Sequence, residues 1–238
     1  MLLSLSKIPE VSIYMAVFNQ DKYLHETLDS ILKQTFKNFE LIITNDGSTD
    51  NSLGILVEYA NLDKRMKIIN SAHVGVVTAR NRAINCCNPH SKYLMNHDSD
   101  DISLPHKLKK LVKYLDTHPE IAIVGCFAEY FDDKGNSRGQ PPIEWQPSKI
   151  RETFGSMNSM IHSASLIRRE VFNTIGTYRK QFPVVQDYDF FARALLAGFQ
   201  LANIPEVLHK IRLHPQSIGN TRGKLQQTYL LQLRPKKA

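Results

Sequence analysis

The feature that most constrains this chain is an alternation of two hydrophobic periods across roughly its first half. VSIYMAVF, Val11 to Phe18, is an apolar, β-branched run of the kind buried inside a sheet. DKYLHETLDSILKQ then sets Leu24, Leu28, Ile31 and Leu32 at helical spacing, with Asn19 as the expected cap. FELIITND predicts a second strand running into the turn formers DGSTD, and LGILVEYANL a helix that Gly54 weakens at its start. MKIIN reads as a third strand, VVTARNRAINCC as a third helix and KYLMNHD as a fourth strand. PHKLKKLVKYLD follows as a fourth helix with Pro105 in its first turn, where a missing N–H costs nothing. Strand and helix alternating in this way predict a mostly parallel central sheet with helices on both faces. Ligands bind such sheets beyond the carboxyl ends of the strands. The polar clusters FNQ, NDGSTD and HDSDD follow the first, second and fourth strands, so they are expected to converge on one crevice.

After about residue 120 the pattern changes. IAIVGCFAEYFDDKGN predicts a strand entering a turn, PPIEWQP a loop, and Ser148 to Phe154 a short helix. HSASLIRREVFNTIG predicts a strand leading into a helix ended by Gly176, and DYDFFARALLAGF a helix closed by Gly198. LANIPEVLHKIRLH looks like two strands separated at Pro205.

Composition narrows the class. With 42% hydrophobic and 22% charged residues in 238, the chain is an ordinary globular protein. No apolar run approaches the roughly 18 residues of a membrane span. MLLSLSKIP is too short and too polar for a signal peptide, and Lys7 follows its apolar residues, so a cytoplasmic location is expected. Three cysteines, two adjacent at Cys86 and Cys87, form neither a metal-ligand spacing nor an even disulfide set. Thirty Lys and Arg against 23 Asp and Glu give a net charge of +7, spread along the chain. HKLKKLVK reads as the solvated face of a helix whose Leu108, Leu111, Val112 and Leu115 point inward. The basic LRPKKA tail permits a peripheral contact at the inner face of a membrane. Aromatic platforms interleaved with Lys and Arg are missing, which argues against nucleic acid as a partner.

MNHDSDDISLP concentrates three carboxylates, Asp98, Asp100 and Asp101, within four residues. If the fourth strand continues through them, Asp98 and Asp100 project to one side and suit a hard divalent cation such as Mg²⁺ or Mn²⁺. Equally, Asp100, Asp101 and Ser103 fit a turn and helix cap ahead of Pro105. The two readings are compatible, with Asp101 or Ser103 capping.

Six strings in order carry a resemblance: AVFN (Ala16 to Asn19), NDGSTD (Asn45 to Asp50), TARN (Thr78 to Asn81), DSDD (Asp98 to Asp101), QDYD (Gln186 to Asp189) and RLHPQSI (Arg212 to Ile218). In order and spacing the chain resembles the family 2 glycosyltransferases of the GT-A fold, a Rossmann-like α/β domain. The resemblance implies an N-terminal tail over 1–9, a glycosyltransferase domain over 10–220 and a helix or tail over 221–238. Within the domain it implies a nucleotide-binding half, 10–120, and an acceptor-binding half, 121–220. By the same resemblance Ala16, Phe18 and Asn19 line a nucleoside pocket, with Asp46 near base or ribose, where it can accept the imide N–H of uracil. Asp98 touches ribose or metal, and Asp100 binds a divalent ion, Mn²⁺ or Mg²⁺, that neutralises the departing nucleoside diphosphate. Arg80 supports the phosphate or the acidic cluster, although a surface helix arginine fits its spacing too. His214 lies near the diphosphate or metal, or is a plain loop residue before Pro215. Asp187 is the general base of a direct, inverting displacement and can cap its own helix at once, while Asp189 supports that helix's first turn.

Three positions depart from the family pattern. Asn45 stands for an aspartate, which puts the nucleobase preference in question; Gln186 stands for a glutamate and removes a charge beside Asp187; Ala16 stands for a proline. The expected activity is transfer of a sugar from a nucleotide-sugar, a UDP-sugar by preference, to a glycan, lipid-linked saccharide or protein. Against it stand a sugar nucleotidyltransferase, which needs a Gly-rich basic loop that AVFNQDKYL lacks, and an inactive nucleotide-sugar-binding protein.

Overall fold

The computed structural model describes residues 8–215 together with 225, 226 and 228. The N-terminal residues 1–7, the string from Gln216 to Ile218 and the basic LRPKKA tail lie outside the described residues.

The alternation appears as β1 (Val11–Val17), α1 (Asp21–Leu32), β2 (Phe39–Asp46), α2 (Ser52–Leu62), β3 (Met66–Ser71), α3 (Val76–Asn85) and β4 (Tyr93–Asn96). A two-residue strand β5 (Ile102–Ser103) and helix α4 (Lys107–Thr117) follow. The second half contributes β6 (Ile121–Asp132), α5 (Pro147–Thr153), β7 (Leu166–Arg168), α6 (Arg169–Ile175), α7 (Gln186–Leu196) and β8 (Gln200–Leu213). They form one mixed sheet in the order β3-β2-β1-β4-β7-β6-β8-β5. Its β3-β2-β1-β4 half is parallel, and the short β7 joins it, antiparallel on both sides, to β6 and β8, which run parallel to each other.

The strands are apolar almost throughout because both faces are covered. Alternate residues separate the two layers. Ile13 and Met15 of β1 and Leu41 and Ile43 of β2 pack on Leu24 and Leu28 of α1 and Leu108 and Leu111 of α4. Tyr14, Ile42 and Leu94 face the other way, into a layer with Val77 and Ala83 of α3 and Phe190 and Phe191 of α7.

Five local expectations are corrected. Asn19 does not cap α1: Gln20 holds the cap position, while Asn19 takes a left-handed φ of 53° and its Oδ1 accepts the N–H of Thr49 at 2.8 Å. Pro105 lies before α4, whose cap position is His106. The fourth strand stops at Asn96, so Asp98 and Asp100 are not on a strand face; the N–H of Asp101 donates to the Asp98 carbonyl at 3.4 Å, closing a turn. Lys107, read as part of a solvated face, is completely buried. Finally, Pro205 does not separate two strands. The pairing of β8 with β6 jumps from Cys126↔Ile204 to Phe127↔Val207, so Pro205 and Glu206 sit in a bulge where a missing N–H breaks no ladder bond.

Candidate active site

Beyond the carboxyl ends of β1, β2 and β4 lies a cavity of about 660 Å³, walled on its far side by the end of β8 and the start of α7. Ala16, Phe18, Asp46, Arg80, Asp98, Asp100, Asp187 and His214 all line it. Asn19 is not among its lining residues; it braces the neighbouring loop that follows β2. Asn45 also stays out of the lining: it is buried, its Nδ2 donating to Asn70 Oδ1 at 2.8 Å across the β2–β3 pair.

Asp46, the last residue of β2, is buried with its carboxylate already engaged. Oδ1 accepts the N–H of Val74 at 2.8 Å and Oδ2 that of Gly75 at 3.0 Å, so the residue expected near the base also holds the loop entering α3. On that loop His73 stacks on the half-exposed Phe18 ring, with centroids 4.1 Å apart. The two rings form one aromatic wall.

Arg80 is buried, not a surface helix arginine. Its Nη2 donates to Asp98 Oδ1 at 2.5 Å; with the Gln186 amide assigned so that both its ends are satisfied, Nη1 donates to the amide oxygen at 2.5 Å and the amide nitrogen donates to Pro183 O at 3.1 Å. Its buried Nε has no partner among the described residues. Burial alone would raise the Asp98 carboxyl, but the Arg80 guanidinium, aided by Asn96, holds it well below the usual carboxylate range. Gln186 opens α7, so Arg80 ties the turn after β4 to the helix bearing Asp187. Burial raises the Asp187 carboxyl, against the opposing pull of backbone N–H groups at the helix start and of Arg80. Asp189 accepts from Arg193 at 3.0 Å and from Arg179, which locks the first turns of α7.

The turn Asp98–Asp101 splits its acids. Asp100 faces the cavity and its Oδ2 meets His214 Nε2 at 2.8 Å. Burial, with the charges of Asp101 and Asp98 added and the His214 bond opposing, raises its carboxyl to about 6. Asp101 caps no helix. It accepts from Ser163 Oγ at 2.7 Å and from the N–H of Arg212 at 3.1 Å, and lies 2.9 Å from His209 Nε2. His209 Nδ1 lies 3.0 Å from Lys107 Nζ, which donates on to Ser163 O at 2.6 Å and Ser103 Oγ at 3.2 Å. Burial and the Asp98 charge push the Asp101 carboxyl up to about 7, and burial lowers Lys107 to about 8.

Sequence reasoning missed this second layer, together with His162 and the role of Arg212. Arg212 donates from Nε to Asp100 O at 3.0 Å and bonds Glu26 of α1, its guanidinium lying 4.8 Å from the Tyr23 ring centre. His97 and Lys107 stand close to the acidic string in sequence, but His162 and His209 do not, and local sequence does not say which of them face inward.

The residues fit a divalent cation. Asp98, Asp100 and Asp101 crowd one turn, and carboxylate with imidazole, as in the Asp100–His214 pair, is a donor set that Mn²⁺ accepts. Among the described residues no three His, Cys, Asp or Glu side chains enclose an ion on their own, so diphosphate oxygens and water would complete its shell.

Comparison with known proteins shows the family and the fold. The model of "Glycosyl transferase family 2" matches residues 12–176. An uncharacterized glycosyltransferase of Haemophilus influenzae is 33% identical over 216 residues, covering 87% of this chain and 66% of that protein. The S. aureus TarS 1-349 structure in complex with UDP-GlcNAc superposes with a TM-score of 0.71 at 20% identity, over 87% of this chain and 60% of that one. The mannosyltransferase PcManGT from Pyrobaculum calidifontis, in complex with GDP-Man and Mn²⁺, gives 0.69 at 16%, over 98% and 66%. This chain thus spans about two thirds of the length of the proteins it matches. With residues 12–176 matched and the cavity walled by strand-end acids, the chain belongs to glycosyl transferase family 2.

Proposed function

We propose that this protein transfers a sugar from a nucleotide-sugar to an acceptor hydroxyl with inversion, Asp187 acting as general base. The observation that carries the reading is the Arg80 bridge, which brings the acids after β4 and the acid at the start of α7 to one cavity.

The nucleoside end fits against Phe18 and Ala16 beside Asp46, and the diphosphate beside the Arg80 guanidinium. A divalent cation held at Asp100, with Asp98 and His214 near it and diphosphate oxygens and water completing its shell, would supply charge neutralisation for the leaving nucleoside diphosphate. Asp187 removes the acceptor proton as the hydroxyl attacks the anomeric carbon from the opposite side. The acceptor half of the cavity mixes Tyr130, Met160 and Ile211 with polar groups, which suits a saccharide. UDP-sugars stand first as donors, because Asp46 can accept an imide N–H alongside its loop contacts; the GDP-Man bound by PcManGT makes GDP-sugars the comparison. A screen of UDP- and GDP-sugars, reading released nucleoside diphosphate with Mn²⁺ present, should find one productive donor. No release from any donor, with or without oligosaccharide acceptors, would sink the reading.

A further inference from the structure

A hydrogen-bond chain that the reaction above does not use runs through the sheet to the cavity wall. Tyr14 of β1 is completely buried, and its hydroxyl bonds the hydroxyl of Tyr178, in the segment after α6. Tyr178 in turn bonds His162 Nε2 at 2.6 Å. His162 is 7% exposed and lines the cavity, and with Nε2 taken by Tyr178 its Nδ1 is the ring nitrogen left for a ligand there. Tyr178 is placed by its backbone: Asn81 Nδ2 donates to Tyr178 O at 2.8 Å, and the N–H of Tyr178 donates to Asn81 Oδ1 at 3.2 Å. Asn81 is the neighbour of Arg80 on α3, so one helix steers both the ion pair and this chain.

Counting protons assigns the direction of the chain. Each hydroxyl has one proton, and a neutral imidazole has one donor and one acceptor. Were His162 to donate from Nε2, Tyr178 would donate to Tyr14. The proton of Tyr14 would then point among the rings of Phe172 and Tyr178 with no acceptor among the described residues. A buried donor left unmade carries its full desolvation penalty. The opposite direction strands nothing: Tyr14 donates to Tyr178, Tyr178 donates to Nε2, and the imidazole proton sits on Nδ1. Burial and the Arg80 charge push the His162 imidazolium down to about 3, so the ring is neutral.

We infer that His162 is a substrate-contacting residue, a neutral imidazole locked by the Tyr14–Tyr178 chain as the Nδ1–H tautomer, donating to a hydroxyl oxygen of the transferred sugar. This rests on the glycosyl-transfer reading. Arg80 meets the anionic part of a nucleotide-sugar, whereas an uncharged N–H suits a neutral hydroxyl. The charges that act on His162 are those of Arg80 and Asp98, the diphosphate end of the cavity, and the transferred sugar is bonded to that diphosphate. Its neighbour Ser163 is turned away to Asp101, which leaves His162 as this segment's donor to the cavity.

Two measurements on the full chain test the inference. In ¹⁵N NMR without ligand, the imidazole signals lost in His162→Asn are expected to show a protonated Nδ1 and a pyridine-type Nε2. Tyr14→Phe leaves Tyr178 with Nε2 as its acceptor and should keep the Nδ1–H form, whereas Tyr178→Phe, which removes the proton donated to Nε2, should let Nε2–H appear. A protonated Nε2 in the unmodified protein overturns the inference whatever the donor. The second measurement compares the affinity of UDP with UDP-GlcNAc, and of GDP with GDP-mannose. His162→Gln keeps an amide where Nε2 was and loses the cavity donor. It should weaken nucleotide-sugar binding roughly threefold to tenfold and leave the nucleoside diphosphate unchanged. His162→Asn, whose amide overlies Nδ1, should restore most of the difference. An unchanged sugar increment in a folded His162→Gln overturns the contact. If the unmodified protein binds neither nucleotide pair, the glycosyl-transfer reading fails and takes the sugar contact with it, while the NMR result still decides the tautomer.

Discussion

Asp187 and Gln186 are adjacent and do different work. The Gln186 amide accepts from Arg80, so the guanidinium keeps Asp98 as its full counter-charge instead of sharing it with a second acid. Asp187 is left with burial as the main influence on its carboxyl, and burial raises it. A general base works unprotonated. With its pKa raised, transfer should be slow at pH values where an ordinary aspartate is already ionised, and should climb as pH rises through the shifted value. Asp187→Asn should lower kcat on the order of 10²- to 10⁴-fold with donor KM unchanged, and should abolish that rising limb. A pH–rate profile of both proteins checks the sign. The sequence marked Asp187 as a candidate and a helix start around it, but whether its charge is compensated depends on Arg80, 107 positions earlier (187 − 80).

At the scale of elements, the turn after β4 is held from beneath by α4 and β8. Lys107, the first residue of α4, reaches Ser163 and His209, and His209 reaches Asp101. Breaking a buried charge network by removing one member costs about 3–5 kcal/mol. Lys107→Met should therefore lose about that much in urea unfolding, whereas replacing the exposed Lys109 should be near neutral. Gly47 connects β2 to α2 at φ +75°, and a Cβ there would lie 2.6 Å from the backbone nitrogen of His73. Gly47→Ala should cost about 1–3 kcal/mol and loosen the His73–Phe18 wall, seen as weaker nucleotide binding. Neither constraint could be read from its own segment. HKLKKLVK carries the helical period plainly, yet which lysine turns inward is decided by acceptors on β8 and on the segment before β7. Pro205 likewise signals an interruption, and only the partner strand β6 makes it a bulge inside one strand.

For the whole molecule, the cavity joins strand ends from both halves of the chain, so ligands that bind it should stabilise the fold globally. At a hundred times Kd, nucleoside diphosphate with Mn²⁺ contributes about 2.7 kcal/mol, which for a protein of this size raises Tm by roughly 5–10 °C. Asp100→Ala should remove the Mn²⁺-dependent part of the rise and keep the smaller metal-independent part. An Mn²⁺ increment that survives in Asp100→Ala would assign the ion to other residues. Among the described residues no helix is long and apolar enough to cross a membrane. Sequence alone determined the order of strands and helices from β1 to β4 and the gathering of polar strings beyond strand ends, because hydrophobic period and turn chemistry are local properties. It also carried the family, because six strings survive in order. Only the tertiary structure decided which acids face the cavity, that Asp101 and Lys107 are buried, and that Tyr14, Tyr178 and His162 form one hydrogen-bonded chain. Those outcomes hang on burial and on partners as far as 164 residues away, and a buried charge or hydroxyl takes its state from whatever surrounds it.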